Sequence, residues 1–277
     1  MCGSGHGHRS VKTQIFSKLS RITPRKRFGQ HFLTDQVVLE SIIRAFSPKR
    51  DDRVLEIGPG TGILTEVLLD HLDYLVAIEI DRDMVKHLNQ RFSKDSLSIL
   101  QQNVLDTNIR SLDVPGKSPS LRIIGNLPYN ISTPLLFHIF DSLDIVQDML
   151  FMVQKEIALR LIAQAGDRNY GRLSVMAGLH VDTELLFDVQ PESFSPPPKV
   201  TSSMIHMQPK YPAIKPKNRK RLAILVKAAF SNRRKTLRNA LSRMVAPEQY
   251  KRLGIDDSLR PENLEPHDYL RLSEIRD

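Results

Sequence analysis

Val54-Leu55-Glu56-Ile57-Gly58-Pro59-Gly60-Thr61-Gly62 is a short apolar run that ends in three glycines at alternate positions. Followed by a helical pattern from about Leu64, such a run predicts a buried strand that turns sharply into a helix. Glycine lets the backbone turn and approach a ligand with no Cβ in the way. A ligand pocket is therefore expected at the carboxyl end of this strand. The spacing is GxGxG, not the GxGxxG of dinucleotide sites, and the start of the next helix offers no basic partner for a pyrophosphate. A phosphate-poor ligand fits better.

Outward from this stretch, apolar runs at 53–57, 74–80, 97–101, 121–124 and 149–153 alternate with helical patterns at 37–46, 64–72, 83–92 and 134–143. That alternation predicts an α/β domain with a mainly parallel sheet, its strands rich in Val, Ile and Leu because helices cover both faces. Beyond residue 155 a helix through 162 and another over 173–180 are expected. Then 183–189 and 203–207 read as antiparallel edge strands on either side of a proline-rich turn at 195–198. Pro209, Pro212 and Pro216 mark a linker, and 218–230, 233–245, 247–253 and 266–276 read as helices. The expected organisation is a mobile basic tail over 1–24, an α/β domain over 25–208 and a small all-helical, basic domain over 209–277.

The chain has 277 residues, 40% apolar and 26% charged, which suits a globular protein with a real core. It has no run of about eighteen apolar residues and no signal-peptide pattern, so a soluble, cytoplasmic protein is expected. One cysteine, Cys2, excludes a disulfide scaffold and a cysteine zinc cluster; His6 and His8 have no thiolate or carboxylate partner nearby, and no metal is expected. The net charge of +9 is unevenly spread. Residues 1–50 hold ten Lys/Arg against two acids, and 193–247 hold thirteen against none, so the rest is acidic. Two basic segments flanking an acidic body suggest a polyanion partner, because each neutralised phosphate releases counterions. A charge run alone reads equally well as a solvated face.

Glu79 closes the second main strand, twenty-one residues after Gly58, where a carboxylate can accept from both hydroxyls of a ribose. Asn103 follows the third and could pair with an adenine edge. An adenosine-containing cofactor is implied. After the fourth comes Gly125-Asn126-Leu127-Pro128-Tyr129-Asn130. Asn-Pro-Pro-Tyr and its variants at this place mark transferases that methylate the exocyclic nitrogen of adenine or cytosine. The lone pair of such a nitrogen is delocalised into the ring, so the amine is a poor nucleophile. The Asn126 amide oxygen and a main-chain carbonyl near Leu127 can accept its N–H groups and favour localisation of the lone pair. Pro128 fixes the local backbone, and Tyr129 offers a face for the base to stack on. No strong base is required; positioning and electrostatics carry the catalysis.

The chain resembles the ribosomal RNA adenine N6-dimethyltransferase family, and within it the bacterial small-subunit members, from about Arg25 onward. The matching stretches are FGQHFL (28–33), EIGPGTGILT (56–65), IEIDRD (78–83), GNLPYNISTPLLFHIF (125–140), MVQKEIALRL (152–161), YGRLSV (170–175), FSPPPKV (194–200) and AFSNRRKTLRNAL (229–241). The resemblance implies a Rossmann-like class I methyltransferase fold and the cofactor S-adenosyl-L-methionine, released as S-adenosylhomocysteine. It implies that His31, Leu33, Gly58, Gly60, Glu79, Asn103 and Asn126 border the cofactor. Asn126, Leu127, Pro128 and Tyr129 would hold the target base, with Phe194 stacking opposite Tyr129 on a flipped adenosine. Arg25, Lys26, Arg27, Arg233, Arg234, Lys235 and Arg238 would contact RNA, the two basic segments converging beside Tyr129 and Phe194. The implied reaction is dimethylation of two adjacent adenosines near the 3′ end of 16S rRNA, by a monomer, in a small-subunit assembly intermediate. A large-subunit (23S) methyltransferase of the antibiotic-resistance type and a non-catalytic assembly factor are the alternatives. Two positions depart from the family: His31 stands where Asn is common, and Asn103 where Asp is common. The neutral Asn103 oxygen should accept more weakly than a carboxylate, so Asn103→Asp is expected to bind cofactor at least as tightly.

Overall fold

The computed structural model describes residues 30–211, 214 and 216–275, with positions 216 and 217 described only as part of a helix. The expected tail over 1–24 and the basic triplet Arg25, Lys26 and Arg27 lie outside the described residues. In chain order the α/β part runs β1 (Phe32–Leu33), α1 (Gln36–Phe46), β2 (Arg53–Ile57), α2 (Ile63–Leu69), β3 (Leu75–Glu79), α3 (Arg82–Arg91) and β4 (Leu97–Gln101). It continues with β5 (Leu121–Asn126), α4 (Ser132–Phe140), β6 (Val146–Gln154), α5 (Lys155–Ile162), α6 (Arg172–His180), β7 (Val181–Val189), β8 (Phe194–Ser195) and β9 (Ser202–Pro209). Four helices close the chain: α7 (Pro216–Ser231), α8 (Leu237–Ala240), α9 (Pro247–Leu253) and α10 (Pro266–Glu274).

Seven strands form one sheet in the order β4-β3-β2-β5-β6-β9-β7. The first five are parallel, and β9 runs antiparallel to both β6 and β7. Strand order reverses between β2 and β5: from β2 the chain moves outward through β3 and β4, then returns to the other side. Loops leaving two adjacent strands diverge at such a point and open a crevice at their carboxyl ends. Alternation along β2 sends Leu55 and Ile57 into one apolar cluster and Val54 into the other. Helix α1 covers the second face with Leu39, Ile42 and Phe46. The first face continues without a break into the C-terminal helices through Leu222, Leu225, Leu237 and Tyr269. Among the described residues no helix is long and apolar enough to cross a membrane.

Two expectations need correction. The segment 203–207 is not an edge strand, since β9 bonds to β6 on one side and β7 on the other; of the two antiparallel strands β7 alone lies at an edge, the opposite edge being β4. The helix expected over 233–245 shrinks to α8. Its first amides are satisfied at long range, Leu237 N–H donating to the Leu259 carbonyl and Arg238 N–H to that of Asp257. The apolar spacing of Leu237, Leu241 and Val245 is thus served by a short helix and a turn that still bury all three. The sequence pattern also held no sign of the ribbon in which β1 pairs with β8, Phe32 opposite Ser195 and Leu33 opposite Phe194.

Arg122 is the most heavily bonded side chain under the sheet. Its guanidinium donates to both carboxylate oxygens of Asp148 (2.7 and 2.8 Å), to Asp52 (2.8 Å) and to the Phe46 carbonyl (2.6 Å), and lies over the Phe46 ring.

Candidate active site

Beyond Ile57 the chain passes through Gly58, Gly60 and Gly62, each with positive φ (69°, 55° and 80°), a conformation costly to any residue with a Cβ. At Gly62 space also matters, because a Cβ there would come within 2.6 Å of Leu88. The turn wraps a cavity of about 360 Å³ at the β2/β5 switch. His31, Leu33, Gly58, Gly60, Glu79, Asn103, Asn126, Leu127, Pro128 and Tyr129 all line it. Ten residues scattered from 31 to 129 are thereby brought to one cavity.

Glu79, only 6% exposed, closes the floor. Its carboxylate accepts from the backbone N–H of Asp81 (2.9 Å) and of Gly60 (3.2 Å), which ties the end of β3 to the glycine turn. Burial raises this carboxyl above the ordinary range, with the Asp81, Gly60 and Ile80 amides opposing. Glu56 was not foreseen. It also lines the cavity, is 1% exposed and accepts from Thr65 Oγ1 at 2.7 Å. Burial pushes its carboxyl up to about 8, the Thr65 bond opposing and the Glu79 charge assisting. At neutral pH the group is mainly protonated, and a cation brought beside it would favour loss of that proton. The signal available in sequence was an acid inside a strand buried on both faces.

Asn103 is already engaged. Its Oδ1 accepts from Leu105 N–H (3.1 Å), capping a 3-10 turn, and its Nδ2 donates to Asp106 Oδ2 (2.8 Å). An aspartate here would trade the second bond for two facing carboxylates. The gain expected of Asn103→Asp therefore moves to the double variant Asn103→Asp/Asp106→Asn. The single variant should bind an adenosine cofactor roughly two- to fivefold more weakly than the parent. Calorimetry on the three proteins checks this, and a single variant that binds tighter than the parent contradicts it.

The second wall is the turn after β5. Asn126 Nδ2 donates to the His31 carbonyl at 3.0 Å, so the amide is oriented and its Oδ1 is the atom left to accept from a ligand. Leu127 N–H donates to the Met152 carbonyl, and the Pro128 carbonyl accepts from Ile131 N–H and Ser132 Oγ, locking the turn to β6 and to α4. Tyr129 is anchored at its far end, its hydroxyl 2.6 Å from Ser202 Oγ, and its ring stacks on His31 (centroids 5.5 Å apart, planes at 26°). Phe194, expected opposite Tyr129, is 3% exposed and packs in the apolar cluster with Leu33 and Met204. It does not reach the cavity wall; His31 is the ring that faces Tyr129.

The described members of the second basic segment divide into two kinds. Arg233, Arg234, Lys235 and Arg238 are all exposed; Arg238 is paired with Asp257 and Arg233 with Glu262, whereas Arg234 and Lys235 form no ion pair among the described residues. Arg233 also joins Arg160, Arg168 and Arg172 around a second concavity whose rim includes Thr133, in the first turn of α4 and four residues past Tyr129.

A family model described as ribosomal RNA adenine dimethylase matches residues 21–277. The ribosomal RNA small subunit methyltransferase A of Nitrosospira multiformis is 47% identical over 252 residues, covering 91% of this chain and 95% of that protein. Its namesake in Methylococcus capsulatus is 48% identical over 256 residues, covering 91% and 98%. Among solved structures, a dimethyladenosine transferase from Plasmodium falciparum superposes with a TM-score of 0.74 at 28% identity, over 87% of this chain and 96% of that one. The 23S rRNA methyltransferase ErmE (TM-score 0.64, 23% identity, 88% and 98%) shares the fold. Because the match runs through the glycine turn, the Asn126 turn and the C-terminal helices alike, the chain belongs to the ribosomal RNA adenine dimethylase family.

Proposed function

We propose that this protein uses S-adenosyl-L-methionine to dimethylate N6 of two adjacent adenosines near the 3′ end of 16S rRNA, acting as a cytoplasmic monomer on a small-subunit assembly intermediate. The observation that carries the reading is the Asn126 amide, which lines the cavity at the strand switch and is held through Nδ2, leaving its oxygen to accept from a ligand. The cavity suits the cofactor: a glycine turn whose positive φ excludes side chains, the Glu79 carboxylate for a ribose, and the buried Glu56 carboxyl for a cationic group. When bound, the cofactor supplies a methyl group on sulfonium sulfur and leaves as S-adenosylhomocysteine. Asn126 Oδ1 accepts from the target amine and favours a localised lone pair, and Tyr129 carries the base on its ring face. An amine held in this way would take that methyl group as its bond to sulfur breaks, and its surplus proton would pass to water without a side-chain base.

Methyl-labelled cofactor offered with unmodified small or large subunits tests the substrate. Label at N6 of the small-subunit adenosines is expected. Label only in large subunits would favour the 23S reading, and RNA binding without label in either would favour a non-catalytic assembly factor.

Phosphate contacts should follow the free cations. Arg234→Ala is expected to lower the slope of log K against log salt by about 0.7 to 0.9, whereas Arg238→Ala, whose guanidinium is held by Asp257, should lower it by less. Fluorescence anisotropy across a salt series reads both; slopes equal to the parent's in both variants would remove this segment from the interface.

A further inference from the structure

Resting on the reading that the target adenine stacks on Tyr129, we propose that His31 is a specificity-determining gate residue whose imidazole occupies the adenine's seat in the base-free protein and must leave before a base can enter. The spacing requires it. Aromatic surfaces in contact lie about 3.5 to 4 Å apart, so a base between two rings needs them about 7 to 8 Å apart. The His31 and Tyr129 centroids are 5.5 Å apart, which leaves no room for a third ring.

One of the two rings must move, and the bonds identify which. Tyr129 is pinned at its hydroxyl to Ser202, a fully buried residue of the inner strand β9, and follows Pro128 in a turn locked to β6. The His31 ring is tethered by an exposed bond, Nδ1 to the Pro196 carbonyl at 2.8 Å. Its departure would release Pro196, which directly follows β8, the strand that pairs with β1. The His31 carbonyl meanwhile holds Asn126 Nδ2, so one residue contacts the reactive amide through its backbone and the base seat through its side chain. A ring already on Tyr129 sets a threshold: the incoming base must out-stack an imidazole, which favours a two-ring purine over a pyrimidine.

The test uses small subunits reconstituted with RNA carrying 2-aminopurine at the first target adenosine, its fluorescence quenched on stacking, together with KM and kcat on unmodified subunits. His31→Ala should tighten the quench-monitored affinity and lower KM for the subunit roughly two- to tenfold, measured at saturating cofactor. His31→Phe keeps a ring on Tyr129 and lacks the Nδ1 tether, and its KM should equal or exceed the parent's. The proposal is overturned if His31→Ala leaves KM unchanged or raises it, or if His31→Phe lowers KM as much as alanine does. If the alanine variant does not fold, His31→Asn removes the ring with the residue common in the family and carries the same expectation. Tyr129→Ala separates the two levels. Loss of quenching there supports the base seat whatever His31 does, and quenching that persists removes the stacking reading itself.

Discussion

An Asn126→Ala protein should transfer methyl groups on the order of 10² to 10³ times more slowly than the parent, with RNA affinity and its salt dependence nearly unchanged. The magnitude is that of one preorganised hydrogen bond made to charge that develops in the transition state. The exocyclic amine acquires its nucleophilic lone pair only as it leaves conjugation with the ring, and an acceptor fixed beforehand makes that change without reorganising. Asn126 is fixed: Nδ2 is taken by the His31 carbonyl, and β5 pairs it opposite Met152 of β6. Alanine removes the acceptor and leaves untouched the proposed phosphate-binding residues, which belong to other elements. Asn126→Asp sharpens the case, because it keeps an acceptor and loses the donor to His31, so its rate should fall between the two. Single-turnover transfer of labelled methyl from saturating cofactor gives the rate, and anisotropy gives the binding. A rate within tenfold of the parent would mean that the amine is oriented by other groups.

The parts of this site that were readable in sequence are those whose physics is local. Strands β2 and β4 carry the bounds expected of them, since a strand buried on both faces is a continuous apolar run whatever its neighbours. The glycine turn and the Asn126 to Tyr129 turn announce themselves through backbone needs that few residues meet. Glu56 was missed because its burial is decided by Thr65 and the glycine turn folding over it, and a lone acid in a strand looks like a solvent-facing position. The β1/β8 ribbon has two residues on each side, too few to show any period, and its partners are about 160 residues apart. That same pairing puts Phe194 in the core and His31 on Tyr129, so the occupancy of the base seat follows from a tertiary contact that no local pattern encodes.

Arg122→Met should destabilise the fold by about 3 to 5 kcal/mol, the usual consequence of stripping the cation from a buried ion pair. The Arg122 and Asp148 side chains are 8% and 6% exposed, and Asp52 is 11% exposed, so water cannot replace the guanidinium. In the parent, burial pulls the Asp148 carboxyl up, but bonds from Arg122 and His206 outweigh it and hold the group below the ordinary carboxylate range. A depressed value contributes stability above the unfolded pKa of about 3.9 and loses it as pH falls through the folded one. Without Arg122 the balance reverses: burial dominates, the folded value rises above the unfolded one, and the penalty is relieved as acid protonates the carboxyl. The gap in stability between parent and variant should therefore be widest near pH 7 and narrow on acidification toward pH 4. Urea unfolding at both pH values measures it, and a gap that does not change with pH would place the loss in packing over Phe46 instead. Asn126 stands four residues along β5 from Arg122, about 13 Å at strand rise. Well below its melting range the variant should therefore keep nearly the parental rate, the opposite signature to Asn126→Ala.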